Sequence, residues 1–480
     1  MKSKKIIMLI CIIMCLLFTV SGVFANDLTN ETDVGMLQVT GNEVNDTNLQ
    51  ASSSLSTSAV YFDASASSDG DGSQSNPYKV YKADRINYGD TVYFADGVYT
   101  ISEANSIYSS SKYPTTFIGS ENTILQSALS HKFDFTVTDN SYFVLKNLTM
   151  IGVHINNQAN LIAENVVFQD SVGFNPDNMP SLYYSYMSKV YDSSYGGVII
   201  CDTPSNKKTT LNLTNCDFKN NIALSGGVIA AYNTIANIQN CNFYNSTSSN
   251  FGGAIYSIKS NFKIIKSSFE LTNSKYGGVI YSNSTDLYLK DSQFTKSQSS
   301  SFGGVIAAFS GKLDINNVVF TNYKSLDDAG GAIYSTGITL NVADSTFTDG
   351  HSDFGGAICN LKTNSTVTNT KFINNYAEHY GGSIYNMYGN IVLSNNIFNK
   401  TQAETGGSIF NRFSDSFELS NNQFIDSKAD EEGAIVFIDG DNVKVTEKGN
   451  TYDNTYVLLV YGNVYNIDYY ESVPVIIVFL

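Results

Sequence analysis

The sequence predicts an all-β fold, a single-stranded, right-handed parallel β-helix solenoid with three short strands in each coil of about 25–27 residues. A glycine pair, a small residue and an isoleucine recur ten times, and every interval after the first is 25 to 27 residues long. A phenylalanine recurs with the same period. Between these recurring residues, apolar and polar residues alternate with period two, and no stretch keeps a helical pattern. The crossover rule for parallel strands favours the right hand.

Each coil is predicted to bury three columns of side chains, because one coil cannot bury its own apolar residues and must stack on the next. The first column is the isoleucine that follows the second glycine by two residues: Ile199, Ile229, Ile255, Ile280, Ile306, Ile333, Ile358, Ile384, Ile409 and Ile435. The second is an apolar pair seven and five residues before each phenylalanine, such as Leu287 and Leu289. The third is the phenylalanine itself: Phe218, Phe243, Phe269, Phe294, Phe320, Phe347, Phe372, Phe398 and Phe424.

Two kinds of corner are expected to connect the strands. Three residues before the phenylalanine, eight of nine coils carry Asn or Asp, and Lys266 is the exception. Asn and Asp tolerate left-handed backbone angles, and stacked Asn side chains can form amide ladders. The glycine pairs are interpreted as corners where backbones approach closely or φ turns positive. The last pair has Glu432 in place of its first glycine, which indicates that the stack is ending.

The domain organisation follows from where the repeat is regular. Residues 195–440 are the regular repeats, and residues 60–168 are an N-terminal cap followed by irregular coils. Residues 169–194 are an inserted loop rich in tyrosine, which is either a functional feature or a variable surface excursion. Residues 441–480 are a C-terminal cap or a truncated end, because their apolar finish is too short to span a membrane.

The N-terminus indicates export from the cytoplasm. Residues 1–25 combine early lysines, an apolar stretch and a small-residue cleavage site, which is typical of a secretory signal peptide. An uncleaved membrane anchor is the alternative, since the apolar run approaches the length of a span. Residues 26–59 are rich in Ser, Thr and Asn and are expected to be a disordered linker. We therefore expect an extracellular or cell-surface protein with no membrane span after signal cleavage.

The repeats also resemble known surface proteins. The Gly-Gly-Ala-Ile form at 252–255, 330–333 and 355–358, with the Phe-x-x-Asn form at 218–221 and 372–375, resembles the repeats of chlamydial polymorphic outer membrane proteins. It is equally similar to the adhesin-like proteins of methanogenic archaea. The resemblance implies a right-handed, pectin-lyase-like β-helix that is displayed outside the cell and binds other surfaces. The chlamydial proteins also carry a C-terminal membrane barrel, for which no room remains here, so the archaeal likeness fits better.

Charge and composition limit the partners. The net charge of −16 and the presence of only two arginines argue against nucleic acid and anionic membranes. Cys216 and Cys241 occupy the same position in neighbouring coils, so they could form a disulfide or a stack of buried free thiols. Six sites in the repeats and early coils could accept N-linked glycans: Asn147, Asn212, Asn245, Asn283, Asn364 and Asn399.

Signals for catalysis are sparse. Asp327 and Asp328 are the one adjacent Asp pair in the repeats, and we interpret them as a polar corner rather than as the paired carboxylates of a hydrolase. Asp63, Asp69 and Asp71 lie in a glycine-rich turn and could hold calcium, although a solvated loop explains them as well. The four histidines share no ligand spacing. Apart from calcium, no cofactor is expected.

The alternation of side chains along a strand predicts a candidate binding surface. Three residues after the second glycine stand aromatic side chains that should point away from the isoleucine column: Tyr256, Tyr281, Tyr334, Tyr385 and Phe410. They would form an aromatic ridge that stacks on sugars or docks a protein, unless the rings pack under neighbouring turns. The sequence thus favours a non-catalytic, adhesin-like protein that binds extracellular glycans or surface proteins of neighbouring cells through its lateral faces. The alternative is a polysaccharide lyase that acts on acidic glycans with calcium.

Overall fold

The computed structural model describes residues 58–129, 133–138, 140–173, 196–202, 207–432, 435–440, 443–453 and 458–461. The predicted signal peptide, nearly all of the predicted linker, most of the inserted tyrosine-rich loop and the apolar C-terminus lie outside these residues. The predicted domain boundaries at those segments therefore stay predictions.

The described chain is a β-solenoid of about 13 turns, which confirms the predicted fold class. Its strands belong to one sheet system, and every ladder between them is parallel, with each residue paired to its counterpart one coil later. Phe218 pairs with Phe243, and Ile229 pairs with Ile255. One 3-10 helix, Ala83–Arg85, interrupts the strands near the N-terminal end.

The strands are divided by position along the chain into those before the inserted loop, those from the loop to Phe354, and those from Ile358 onward. The first group is Ala59–Phe62, Thr91–Phe94, Gly97–Ile101, Asn105–Ile107, Thr115–Ile118, Thr123–Ser127, Phe135–Val137, Tyr142–Ile151, Ile155–Asn157 and Asn160–Gln169. The second group is Ile199–Cys201, Thr209–Thr214, Asp217–Lys219, Ile222–Ser225, Ile229–Tyr232, Thr234–Gln239, Asn242–Tyr244, Thr247–Phe251, Ile255–Ile258, Asn261–Ile265, Ser268–Glu270, Asn273–Ser274, Ile280–Lys290, Gln293–Thr295, Gln298–Ser299, Ile306–Asn316, Val319–Ser325, Ile333–Thr336, Thr339–Ala343 and Thr346–Phe354. The third group is Ile358–Leu361, Asn364–Thr368, Lys371–Ile373, Tyr376–Tyr380, Ile384–Met387, Ile391–Ser394, Ile397–Asn399, Gln402–Thr405, Ile409–Arg412, Ser416–Ser420, Gln423–Ile425, Lys428–Glu432, Val436–Asp439, Lys444–Lys448, Thr451–Tyr452 and Leu458–Tyr461.

Many coils contain a fourth short strand that the sequence pattern did not indicate. In one coil it is Thr247–Phe251, and in another it is Tyr376–Tyr380, each lying between the phenylalanine and the next glycine pair. Its inward residues are small, as with Ser248 and Ala377, so the segment lacks the apolar alternation that marks the other strands. Stacking on the neighbouring coil, rather than burial of large side chains, keeps this segment extended.

The predicted inward columns form the core. The isoleucines, the apolar pairs and the phenylalanines are buried, and they belong to one hydrophobic cluster that extends from Val60 to Val445. Adjacent phenylalanine rings stack with centroids 4.4 to 5.1 Å apart from Phe168 to Phe424, and Tyr452 ends the stack. Their planes are nearly parallel, an arrangement that aromatic rings adopt when they are offset from each other.

Both corners have the backbone that the residue types predict. All nine residues three positions before a phenylalanine have φ between 50° and 57°, and Lys266 has φ 50° like its Asn and Asp counterparts. Amide ladders follow this corner, where Asn240 Nδ2 donates to Asn215 Oδ1 over 2.7 Å. In the glycine pairs the two roles are divided between the glycines. The first glycine takes a positive φ, as at Gly252, and the second lies against the next coil, where a Cβ on Gly253 would stand 2.2 Å from the Gly278 oxygen.

Candidate ligand-binding face

The predicted aromatic ridge points away from the isoleucine core, but much of it is covered. Tyr256, Tyr334 and Phe410 are only 4–5% exposed, whereas Tyr281 and Tyr385 are partly exposed. Three of its five rings therefore follow the alternative that the sequence left open, in which the rings pack under neighbouring residues. Ligand binding by the ridge stays a prediction.

A second aromatic column, directly before the glycine pairs, provides the cover. Three of its rings lie over the ridge residue of the following coil: Phe251 over Tyr281 at 4.7 Å, Phe302 over Tyr334 at 4.6 Å, and Tyr380 over Phe410 at 4.6 Å between centroids. The two columns interlock because both project from the same outer side of the coil, one on each flank of the glycine pair. Burial of this second layer adds apolar contact outside the main core.

The interlocked columns leave a row of rings at the surface, which we call the aromatic face. Its partly exposed members are Phe251, Tyr276, Tyr281, Phe354, Tyr380 and Tyr385. Neighbouring rings contact each other along the solenoid, with Phe251 and Tyr276 stacked at 5.3 Å and Phe354 and Tyr380 at 5.7 Å between centroids. The face therefore runs parallel to the axis of stacking in two runs, which Ala329 and the buried rings of Phe302 and Tyr334 separate.

A column of acidic residues borders the aromatic face. In the last five coils of the repeat it occupies the position two residues before the first residue of the glycine pair, which is Glu432 in the last coil. We call these four carboxylates and one histidine the acidic column: Asp328, Asp353, His379, Glu404 and Asp430. His379 Nδ1 lies 3.0 Å from Glu404 Oε2, and the His379 ring contacts Phe354 with centroids 5.6 Å apart. The Asp353 backbone N–H donates to the Asp328 carbonyl over 2.8 Å, so these residues sit in adjacent coils. Carboxylates and aromatic rings thus share one lateral surface.

Two carboxyls in the acidic column have pKa values above that of an ordinary aspartate. Burial raises the pKa of Asp328 to about 7, with further contributions from the charges of Asp353 and Asp327, while a hydrogen bond with Ser301 opposes the shift. Burial also raises the pKa of Asp353 to about 6, where the charge of Glu378 adds to the effect and His379 opposes it. Both carboxyls therefore hold protons closer to neutral pH than an ordinary aspartate does.

Only part of this site is evident from the sequence. Asp327 and Asp328 stand out as an adjacent pair, of which Asp327 is exposed and Asp328 is partly buried beside Asp353. Asp353, His379 and Glu404 do not stand out, because no two of them are adjacent in the chain. A comparison of the same position in successive coils would have revealed them, since parallel stacking turns a spacing of one repeat into direct contact.

The three candidate calcium ligands have other partners. The Asp69 carboxylate forms an ion pair with Arg85, which holds the pKa of Asp69 well below its usual range. Asp63 accepts hydrogen bonds from Ser65, and Asp71 accepts one from the backbone of Ser73. In the described part of the chain, no group of three or more His, Cys, Asp and Glu side chains is placed to hold a metal ion. Calcium binding at this turn stays a prediction.

Cys216 and Cys241 are buried free thiols in the structure, as in the alternative to a disulfide. The Cys216 backbone N–H points to the Cys241 sulfur at 3.5 Å, and both side chains are packed in the core. All six candidate glycosylation sites reach the surface. Asn147, Asn245 and Asn364 are exposed, and the other three are partly exposed. Their glycosylation stays a prediction.

No protein-family model matches the sequence, and no curated protein matches it. Solved structures similar to this chain include a rhamnogalacturonan lyase, with 10% identity over 72% of this chain and 82% of that chain and a TM-score of 0.27. The catalytic unit of a GH87 α-1,3-glucanase from Streptomyces thermodiastaticus matches with 13% identity over 76% of this chain and 65% of that chain and a TM-score of 0.32.

A surface adhesin is also among the similar structures. PfbA of Streptococcus pneumoniae matches with 12% identity over 80% of this chain and 82% of that chain and a TM-score of 0.26. We assign no residue of the candidate face from these similarities. Within the described ranges, no helix is long and apolar enough to cross a membrane.

Proposed function

We propose that this chain is a secreted or cell-surface protein that binds glycan chains through the aromatic face and the acidic column beside it. One observation carries the proposal: half-buried aromatic rings lie in contact in adjacent coils in two runs, Phe251 with Tyr276 and Phe354 with Tyr380, and the second run lies next to a row of carboxylates. Rings whose edges are packed but whose surface remains accessible provide flat apolar platforms, and carboxylates accept hydrogen bonds from hydroxyl groups. Both are features of sites that hold sugar rings.

The geometry suits an extended ligand. The rings contact one another along the stacking direction, so a polymer that lies parallel to the axis would meet several rings in succession. Contacts that are individually weak gain affinity when they are linked in one chain. The predicted signal peptide supports a location outside the cytoplasm, where such polymers are found.

Substitution of the half-buried rings tests the proposal. We expect the double variant Tyr276→Ala with Tyr380→Ala to reduce binding to its best ligand on an array of immobilised glycans at least about tenfold, since each lost ring removes a stacking contact. Tyr244→Ala is the matched control, because Tyr244 is 45% exposed but does not belong to the aromatic face. Equal binding by the double variant and the wild type would contradict the proposal, as would the absence of any glycan ligand.

The acidic column favours a second candidate function, glycoside hydrolysis. Burial raises the pKa of Asp328 to about 7 and that of Asp353 to about 6, so either carboxyl could hold a proton near neutral pH, as an acid catalyst must. Asp328 could then donate a proton to the glycosidic oxygen, and Asp353 could act as the base or nucleophile. A lyase, in contrast, would remove a proton next to a uronate carboxyl.

Product analysis separates these functions. If the protein is a hydrolase, incubation with glycans recognised on the array should release reducing ends, and Asp328→Asn should abolish the release while binding through the aromatic face persists. A lyase would generate the absorbance of unsaturated uronates in the presence of calcium. Binding without either product supports the non-catalytic function.

A further inference from the structure

A break in the surface ladder of amides marks a second candidate site. At the Asn/Asp corner, Asn240 donates to Asn215, and one coil beyond the break Asn317 Nδ2 donates to Asp291 Oδ1 over 2.7 Å. Lys266 stands between these two pairs. Its ammonium group has donors but no acceptor, so it cannot continue a ladder in which each amide both donates and accepts.

A cavity of about 300 Å³ lies at this break. Its lining includes Lys266, Asp291, Gln293, Asn317 and Val319, which come from three successive coils. Lys266, Gln293 and Asn317 are exposed, and Val319 is 44% exposed, so the lining is open to a ligand from solution. The volume is at the small end of the range for ligand sites in proteins, about 300–1,000 Å³.

Lysines outnumber carboxylates in and beside the cavity, whose lining has Asp291 as its one carboxylate, although the protein is acidic overall. Lys263, Lys266 and Lys290 have no carboxylate within ion-pair distance among the residues that the structure describes, whereas Lys219, Lys296 and Lys312 do. Lys290 is adjacent to the cavity, because its carbonyl accepts a hydrogen bond from the Lys266 backbone N–H. Lys263 lies on the same outward side of the neighbouring strand, two residues from the partner of Lys290. Unpaired lysines in a chain of net charge −16 indicate local attraction for an anion.

We propose that this corner binds an anionic carbohydrate, a sugar ring that carries a carboxylate or sulfate group. Lys266 would contact the negative group, and the Gln293 and Asn317 amides with the Asp291 carboxylate would pair with hydroxyls. Val319 offers an apolar contact to the carbon side of the ring. The Asp291 carboxylate disfavours ligands that carry several negative groups at this point and favours one that presents hydroxyls beside a single charge.

Three polymers of one backbone provide the test. Binding of the purified chain to dextran, carboxymethyl-dextran and dextran sulfate of equal length is measured by biolayer interferometry at low and physiological salt. We expect binding to at least one of the two charged polymers, weakened by salt, and none to dextran. The charged polymer that binds identifies the source of the negative group.

Substitution of Lys266 by the residue type of the other coils locates the site. Lys266→Asn preserves the corner, because Asn occupies the same left-handed position in neighbouring coils, and it should weaken binding to the charged polymer about tenfold. Lys362→Asn is the matched control, since Lys362 is also an exposed corner lysine with φ 50° but lies outside the cavity. Equal losses in both variants, an unchanged Lys266→Asn, or equal binding to dextran would overturn the proposal. Tyr276→Ala with Tyr380→Ala should leave this binding unchanged, which separates the site from the aromatic face.

Discussion

Single residues in this solenoid are constrained by the neighbouring coil more than by their own segment. The second glycine of each pair is the clearest case, since a Cβ on Gly331 would lie 2.0 Å from the Gly356 carbonyl oxygen. That oxygen belongs to a stacked backbone and cannot move away without breaking the ladder. Contact with the next coil therefore requires glycine at this position, and the sequence of a single repeat does not reveal this requirement.

Replacement of Gly331 by alanine should destabilise the protein by about 3 kcal/mol or more, because overpacking against backbone has no side chain to relax. Gly337→Asn is the control. Gly337 has φ +63° but open space around its Cβ position, and Asn tolerates this backbone angle, so we expect a change below about 1 kcal/mol. Chemical denaturation with far-UV circular dichroism measures both. A mild Gly331→Ala variant would show that the stacked backbones can separate.

The same dependence on the neighbouring coil explains why the alternation of side chains along a strand could not predict how much of the aromatic ridge is covered. Alternation along a strand correctly placed Tyr334 on the outer side, away from Ile333. Whether that outer side is exposed depends on Phe302, which precedes it by 32 residues and covers it. No local pattern contains this information, because it comes from how two columns of adjacent coils interlock.

At the scale of one element, the buried position two residues before the phenylalanine shows how a polar side chain can be buried with its hydrogen bonds satisfied. Toward the C-terminal end its residues are Asn396, Asn422 and Asn450, all buried. Asn422 Oδ1 accepts from the Asn396 backbone N–H over 2.9 Å, and Asn422 Nδ2 donates to the Leu393 carbonyl over 2.9 Å. Each asparagine thus satisfies backbone groups of the preceding coil that the corner leaves without a ladder partner.

Asn422→Ala should cost about 2–4 kcal/mol, because it leaves both a backbone N–H and a carbonyl buried without partners. Asn422→Ser should cost less. Serine occupies the same position in other coils, where Ser267 Oγ accepts from the Cys241 backbone N–H over 3.2 Å. Thermal unfolding of the two variants gives the comparison, and a serine variant as unstable as the alanine variant would contradict this role of the hydroxyl.

The elements that the sequence predicted are those with a large inward side chain. The isoleucine, apolar-pair and phenylalanine strands all have one, and period-two burial made them visible. The fourth strand, such as Gln402–Thr405, has only Ala403 and Thr405 to bury and gives no such signal. The acidic column went unseen for a related reason, since its charge pattern has a period of one coil rather than of one strand.

At the scale of the whole molecule, three carboxyls link stability to pH. Burial raises the pKa of Asp134 to about 6, and Asp328 and Asp353 have raised values of about 7 and 6. Since an unfolded aspartate titrates near 3.9, the folded chain binds more protons than the unfolded chain between about pH 4 and 7. These groups therefore contribute stability at low pH that is lost as the pH rises through this window.

We accordingly expect the melting temperature to fall between pH 5 and pH 8, and Asp328→Asn to reduce that fall. The substitution removes a group that must be ionised at a cost in the folded state at high pH, so the variant should gain most at pH 8. Asp426→Asn at an exposed corner is the control and should preserve the wild-type slope. Differential scanning calorimetry at the two pH values measures the effect. A pH slope that is identical in Asp328→Asn and the control would be inconsistent with this assignment.

Length itself should be adjustable in units of one coil. Because each coil contacts only its neighbours through in-register parallel ladders, removal of residues 383–407 would join Gly382 to Ser408 and bring Phe372 to Phe424, which are chemically equivalent partners. We expect this variant to fold cooperatively with a modest loss of stability. Removal of residues 383–395, about half a coil, would place inward residues against outward ones and should prevent cooperative unfolding. Circular dichroism and thermal melts distinguish the two, and a half-coil deletion that melts like the full-coil deletion would show that register between coils does not determine the fold.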